Sequence, residues 1–370
     1  PPRSFALIYG AQFLGIGAMM PFLPAILAEG GLTSGQVGGV MAAGSIMRLL
    51  AAPAGGRIAD GAGDVRVILA MAALVAAAAA MGFGLAAGLA LLLAVQVVHS
   101  IAIAPVVPLT DALAVGAVRT HGFDYARVRA AGSITYILGA VLAGQAVALA
   151  GPRMAAWILA AALVATAVLA LRLPDGRRAG AKARGSLWAP LREPGFPRIL
   201  AIAALIQGSH AVYYAFSTLH WQRAGLGTGF IGMLWGLGVV SEVLLFLYGQ
   251  RFVLRLGVRG LVMLAAGAGI LRWCVLAVTV EPAWLIPVQT LHGATFGAMH
   301  LATMQALLGL PATVGARAQT LVASAVSATS GALMWGSGFL FAAVGGHAFF
   351  AMAALCGAGL ALGLGIRRPG

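Results

Sequence analysis

LPDGRRAGAKARGSLWAPLREPGF, residues 173–196, is the longest polar stretch in the chain and carries Arg177, Arg178, Lys182, Arg184 and Arg192 among glycines and prolines. On both sides of it the sequence is apolar almost without interruption. Of 370 residues, 61% are hydrophobic and 9% charged, with a mean hydropathy of +0.98. Soluble domains run near 45–50% apolar and about 25% charged. Such an excess can be hidden only where lipid is the solvent, so the chain reads as an integral membrane protein. A soluble enzyme, a disulfide scaffold and a disordered regulator are excluded together. Cys274 and Cys356 lie in apolar stretches and suggest neither a disulfide framework nor a CxxC site.

A spanning helix needs about 20 apolar residues. Six such stretches precede the polar segment, at about 5–28, 36–54, 67–86, 89–115, 127–150 and 153–172. Six follow it, at about 197–219, 228–248, 259–279, 283–308, 317–342 and 346–366. The breaks are marked by Glu29-Gly30-Gly31, the Gly/Asp/Arg stretch 55–66, Gly151-Pro152, Glu281-Pro282 and Gly345-Gly346. No long alternation of apolar and polar residues appears, which excludes a β-barrel. The first span has no small-residue cleavage site after it and reads as a retained helix, not a signal peptide. The expected fold is therefore an all-α integral membrane protein of twelve transmembrane helices. It divides into six-helix bundles at 1–172 and 197–370, joined by a cytoplasmic linker at 173–196.

Orientation follows from the basic residues. Of the 23 Lys and Arg, eighteen fall on one side of these spans, only Arg153 and Arg223 fall on the other, and Arg48, Arg129 and Arg272 lie within spans. The basic side is expected to be cytoplasmic, with both termini inside a bacterial-type inner membrane. The net charge of +14 is then a topogenic signal, and no nucleic acid partner is implied. A short internal echo supports duplication: Gly55-x-Arg57 with Gly63, and Gly249-x-Arg251 with Gly257, fall in the same inter-helix loop of each half. Two such bundles around a midplane site are an alternating-access architecture.

The loop Gly56-Arg57-Ile58-Ala59-Asp60-Gly61-Ala62-Gly63-Asp64-Val65-Arg66 resembles the GxxxDxxGxxR signature of the major facilitator superfamily. The resemblance implies a gating loop built on Gly56, Asp60, Gly63 and Arg66. Glycines allow close helix approach, and Asp60 can cap a helix or pair with an arginine. A narrower likeness, to the phenylpropionate-permease group related to the lactose permease, runs through most of the chain. It rests on Pro108-Leu109-Thr110-Asp111-Ala112-Leu113-Ala114, Tyr125-Ala126-Arg127-Val128-Arg129-Ala130-Ala131-Gly132-Ser133, His210-Ala211-Val212-Tyr213-Tyr214-Ala215-Phe216-Ser217, Leu271-Arg272-Trp273 and Leu291-His292-Gly293-Ala294-Thr295-Phe296-Gly297 with His300. By that resemblance Asp111 and Arg129 match a substrate-contacting pair, Arg272 and His292 match an arginine and histidine of spans 9 and 10, and Glu242 corresponds to a span-8 glutamate. Thr295 stands where the permease has its proton-coupling glutamate, so coupling must be carried elsewhere.

A charge at mid-bilayer costs about 2.5–3.5 kcal/mol on insertion scales, so each buried one needs a reason. Glu242 and Arg272 read as partners, with Glu242 the proton carrier and Arg272 and His292 completing the coupling group; the alternative is a permanent structural salt bridge. Asp111 and Arg129 read equally as substrate ligands or as a pair at the membrane boundary. Arg48 faces an anionic substrate or snorkels to the interface. His210, His292 and His300 suit substrate hydrogen bonding and proton relay, or else plain helix–helix bonds. Gln12, Tyr213 and Tyr214, with Phe216 and Trp235, could wall a substrate pocket, while Trp157, Trp221 and Trp284 read as interfacial belt residues.

The chain lacks GxxxxGK[ST], HExxH and CxxC, so it reads as a carrier without its own ATPase and not as an enzyme. The expected activity is uptake of a small organic solute, an aromatic or other small carboxylate by the resemblance, by a monomer that uses the proton as coupling ion and no other cofactor. Proton-antiport export is the main alternative. Copper import through His300, Met304, Met299 and Cys274 is a rival grounded in soft-ligand chemistry.

Overall fold

The computed structural model describes residues 2–61, 64–174 and 186–366, apart from the side chains at positions 52, 54–61, 119, 312, 313 and 316. The elements before the polar segment are α1 (Pro2–Glu29), α2 (Ser34–Gly61), α3 (Val65–Leu85), α4 (Leu89–Ile103), α5 (Val106–His121), α6 (Tyr125–Ala150) and α7 (Met154–Ala170). Those after it are α8 (Phe196–Gly208), α9 (Ala211–Arg223), α10 (Thr228–Tyr248), α11 (Gln250–Val278), α12 (Pro282–His292), α13 (Ala298–Leu308), α14 (Ala312–Val344) and α15 (Phe349–Leu364). No strand occurs among the described residues. Among the described residues, eight helical stretches are long and apolar enough to cross a membrane.

Helix starts are set by local polar chemistry. Thr33 and Gln36 cap α2 reciprocally: the Thr33 N–H donates to Gln36 Oε1 at 2.9 Å and the Gln36 N–H to Thr33 Oγ1 at 3.4 Å. Asp124 accepts from the N–H groups of Ala126 and Arg127 to start α6. Asp64 does the same for α3, accepting from the Arg66 N–H at 2.9 Å.

Three stretches expected as continuous helices are interrupted. Pro105, which has no N–H to donate, separates α4 from α5. Ser209 and His210 separate α8 from α9, and the Ser209 hydroxyl turns back onto the Ile206 carbonyl at 2.6 Å. Gly293–Gly297 form a π-helical turn between α12 and α13, the kind of insertion that collects at functional sites. Helix α2 also overruns its expected end, because glycine weakens a helix by about 1 kcal/mol without forbidding it. Trp221, expected at the interface, is fully buried.

Residues 1–182 with 221–236 form one compact unit, and 183–220 with 237–370 form the other. In the first, α1 crosses α6 at Gly17 and Gly139, where an added Cβ would strike Tyr136 O and Leu14 O respectively. Small residues of this kind are what allow helices to associate in lipid, where no hydrophobic force drives them together. Phe5, Ile8, Leu69, Val106, Leu109 and Leu113 fill its core. Thr228, on 221–236, donates to the Gly144 carbonyl of α6 at 2.9 Å. In the second unit, Phe196, Ile202, Leu261, Val262 and Met299 form the core. Large apolar side chains such as Leu138, Leu142 and Leu149 point outward from α6, as a lipid-facing surface requires.

Candidate functional site

The second unit encloses Arg272 completely. Its guanidinium donates to Gln289 Oε1 at 2.7 Å, His292 Nδ1 at 3.0 Å and Thr295 Oγ1 at 3.2 Å. The three acceptors are brought to one face by helix spacing and the π turn: Gln289 and His292 are three residues apart on α12, and Thr295 follows within Gly293–Gly297. Tyr213 lies under the guanidinium, 4.7 Å from carbon to ring centre, and its hydroxyl accepts from Gln289 Nε2 at 3.3 Å.

These contacts assign the imidazole hydrogens. Nδ1 of His292 accepts from a guanidinium that has only donors, so its hydrogen sits on Nε2. That Nε2 faces Glu242 Oε2 at 3.7 Å. His210 holds Nδ1 at 3.2 Å from the carbonyls of both Ile206 and Gln207, so Nδ1 carries a hydrogen, and its Nε2 lies 3.2 Å from Thr295 Oγ1. Besides the two imidazoles, the ionisable side chains of the cluster are Arg272 and Glu242.

Glu242 and Arg272 are therefore not direct partners, contrary to the pairing expected from their places in neighbouring spans. His292 stands between them, because its ring reaches the guanidinium with one nitrogen and the carboxylate side with the other. The carboxylate arrives there by a close helix approach. At Gly293 an added Cβ would lie 2.6 Å from Ser241 O, and the Gly293 N–H instead donates to Ser241 Oγ at 2.9 Å. Tyr214 stacks on His210 with ring centres 5.8 Å apart, completing the aromatic side of the cluster.

The first unit holds a second charged cluster with the opposite distribution of bonds. Asp111 on α5 accepts from the Tyr9 hydroxyl at 2.6 Å and the Tyr125 hydroxyl at 3.0 Å. Arg129 on α6 approaches the same carboxylate only to 3.9 Å, and its side chain is 32% exposed. The guanidinium lies 4.2 Å from the Phe13 ring centre and 5.2 Å from that of Tyr9. It makes no hydrogen bond among the described residues. Beside it Gln12 donates to Thr110 Oγ1 at 2.7 Å, and its buried Oε1 is without a partner.

Other candidates lie apart from both clusters. His300 is exposed on α13 beside Phe246, with ring centres 6.2 Å apart. Met299, its neighbour, is buried in the core, and Met304, one turn on from His300, is half-buried. Arg48 is exposed on α2 and donates to Ser45 at 3.2 Å. Of the expected gating loop, Gly63 and the side chains at Gly56 and Asp60 lie outside the described residues. Arg66 is described, and its partner is Asp64 at 2.8 Å, with a further bond to the Leu173 carbonyl at 2.9 Å. The Arg66 guanidinium holds the Asp64 carboxyl below the ordinary carboxylate range.

Tyr9, Phe13, Tyr125 and Gln289 were not singled out from sequence. Their signal was helical spacing from residues that were: Tyr9 and Phe13 flank Gln12, and Gln289 precedes His292 by one turn.

A family model described as the MFS_1 like family matches residues 3–352. A probable 3-phenylpropionic acid transporter of Escherichia coli (strain K12) is 33% identical over 361 residues, 95% of this chain and 94% of that protein. The maltose permease of Geobacillus stearothermophilus is 28% identical over 298 residues, covering 79% of this chain and 75% of that one. Among solved structures, the nucleoside transporter NupG matches with a TM-score of 0.87 at 16% identity over 99% of both chains, a likeness of fold.

Proposed function

The chain belongs to the MFS_1 like family of the major facilitator superfamily and is a secondary transporter, and from that premise we propose that it takes up a small carboxylate, aromatic by preference, together with protons by alternating access. The observation that carries the substrate class is Arg129. A guanidinium that is partly exposed, lies over two aromatic faces and makes no hydrogen bond of its own matches a planar carboxylate attached to an aryl group. The name of the Escherichia coli relative supports the same class. Asp111, held by two tyrosine hydroxyls, keeps Arg129 in place without capping it.

Proton coupling is assigned to Glu242, with His292 and Arg272. Ionised, the carboxylate attracts the Nε2–H of His292, which the Arg272 bond to Nδ1 holds in that tautomer. Protonated, it loses that attraction and α10 is freed from α12, a bistable contact of the kind alternating access needs. Gln12, Arg48, His210, Tyr213, Tyr214 and His300 are secondary substrate-side candidates. The loop Gly56, Asp60, Gly63 and Arg66 is the gating element of this reading. The topology that goes with it has twelve crossings, counting α4 with α5, α8 with α9, and α12 with α13 as single crossings. The arginine-rich face and both termini are cytoplasmic in a bacterial inner membrane, and the monomer is the working unit, with no cofactor beyond the proton.

The test is external pH in lightly buffered proteoliposomes on addition of 3-phenylpropionate, cinnamate, a nucleoside or a galactoside. Alkalinisation with the two acids is expected. Silence with both acids and a response to the nucleoside would overturn the carboxylate reading.

A further inference from the structure

Where α8, α11, α13 and α15 end on the arginine-rich face, the second unit opens into a cavity of about 1190 Å³ that contains no residue of either charged cluster. Its shape depends on Gly257. That residue has φ +58 and ψ −175 in the middle of α11, a conformation L side chains rarely adopt. The chain steps sideways there, leaving Gln250–Leu256 as a separate segment and starting a fresh helix at Val258. Arg255 and Arg259 stand on either side of the step, and Arg198 joins them from the first turn of α8.

The three guanidinia face the cavity without a carboxylate in its lining. Arg198 donates to the Gly365 carbonyl, whereas Arg255 and Arg259 have no acceptor among the described residues. The walls are otherwise apolar, with Leu256 and Leu310 lining the space. At the rim Leu254 is 68% exposed. A soluble anion would need no such apolar rim, and an apolar ligand would not need three arginines. An amphiphile needs both.

We propose that this cavity binds the phosphate headgroup of an anionic phospholipid. Arg255 and Arg259 grip the phosphate oxygens as a planar fork does, Arg198 closes the site from α8, and Leu254 lies along the acyl chains. Basic pockets between transmembrane helices recognise acidic headgroups in this way. The shared chemistry is a phosphate oxyanion; the exposed apolar rim assigns it to lipid and not to free phosphate.

The full-length protein, purified in detergent, is tested by native mass spectrometry and thermal melting with added phosphatidylglycerol, phosphatidylcholine or inorganic phosphate. Phosphatidylglycerol is expected to be retained about tenfold better than phosphatidylcholine and to raise the melting midpoint, while inorganic phosphate leaves it unchanged. The double variant Arg255→Gln/Arg259→Gln should lose that preference, and Arg251→Gln, an arginine of the same segment outside the cavity, should keep it. Equal retention of the two lipids by the wild type overturns the proposal without any variant having to fold. So does a midpoint raised as much by inorganic phosphate, or a loss in Arg251→Gln as large as in the double variant.

Discussion

Each unit pairs one buried-helix arginine with one carboxylate among aromatic rings, yet the hydrogen bonds fall on opposite partners. In the first, the carboxylate takes the bonds: Asp111 Oδ1 accepts from two tyrosine hydroxyls, and Arg129 keeps its donors for something else. In the second, the arginine takes the bonds: Arg272 donates through its two terminal nitrogens to Gln289, His292 and Thr295, its buried Nε alone lacking a partner, and Glu242 holds only a distant imidazole. A cation left unbonded and partly exposed is suited to meeting an anion. A cation sealed among neutral acceptors is suited to fixing a tautomer, and the carboxylate beside it is the group left free to gain or lose a proton.

The largest effect should come from removing the fully buried arginine. Arg272→Leu leaves three buried acceptors unpaired, each costing about 1–3 kcal/mol, so melting should fall by several degrees and both accumulation and counterflow should vanish. Arg129→Gln provides the contrast. It should leave the unfolding free energy within about 0.5 kcal/mol of wild type while raising KM for the carboxylate about tenfold, read in counterflow with labelled 3-phenylpropionate. If the two variants behaved alike, the division of labour between the units would be wrong.

Glu242→Gln sharpens the comparison from the carboxylate side. Proton-driven accumulation should be lost and counterflow exchange kept, since glutamine holds its place beside His292 but cannot titrate; loss of both would make Glu242 structural. The smallest effect is expected at Asp64. Asp64→Ala removes the α3 cap and should cost about 1 kcal/mol at neutral pH. Because Arg66 lowers the folded carboxyl below its unfolded value, the ion-pair part of that contribution is complete above the unfolded value of about 3.9. It fades as pH falls through the lowered folded value. The gap between wild-type and variant melting curves should therefore narrow below pH 4.

Much of this was legible before any coordinates. Arg272, His292 and Glu242 stood out because ionisable groups in apolar spans are costly, and the three do gather in one unit. What spacing could not supply was the order of contacts. That His292 separates Glu242 from Arg272 depends on how near α10 comes to α12, which Gly293 and the π turn decide. His300, by contrast, lies two turns beyond His292 on the same run of helix and was grouped with it, yet its ring faces outward. The gain of one residue in the π turn changes which positions share a face.

The sequence by itself determined that the chain lives in lipid and that it is helical, whereas the compact units do not divide simply at the polar stretch 173–196, because 221–236 packs with the first of them. Burial of apolar surface and satisfaction of backbone hydrogen bonds in lipid leave no other outcome for such a composition. Only the tertiary structure decided which charged group is sealed and which is left open. Hydrogen-bond saturation depends on distances of a few tenths of an ångström between helices far apart in the chain, and no pattern along a single helix encodes them.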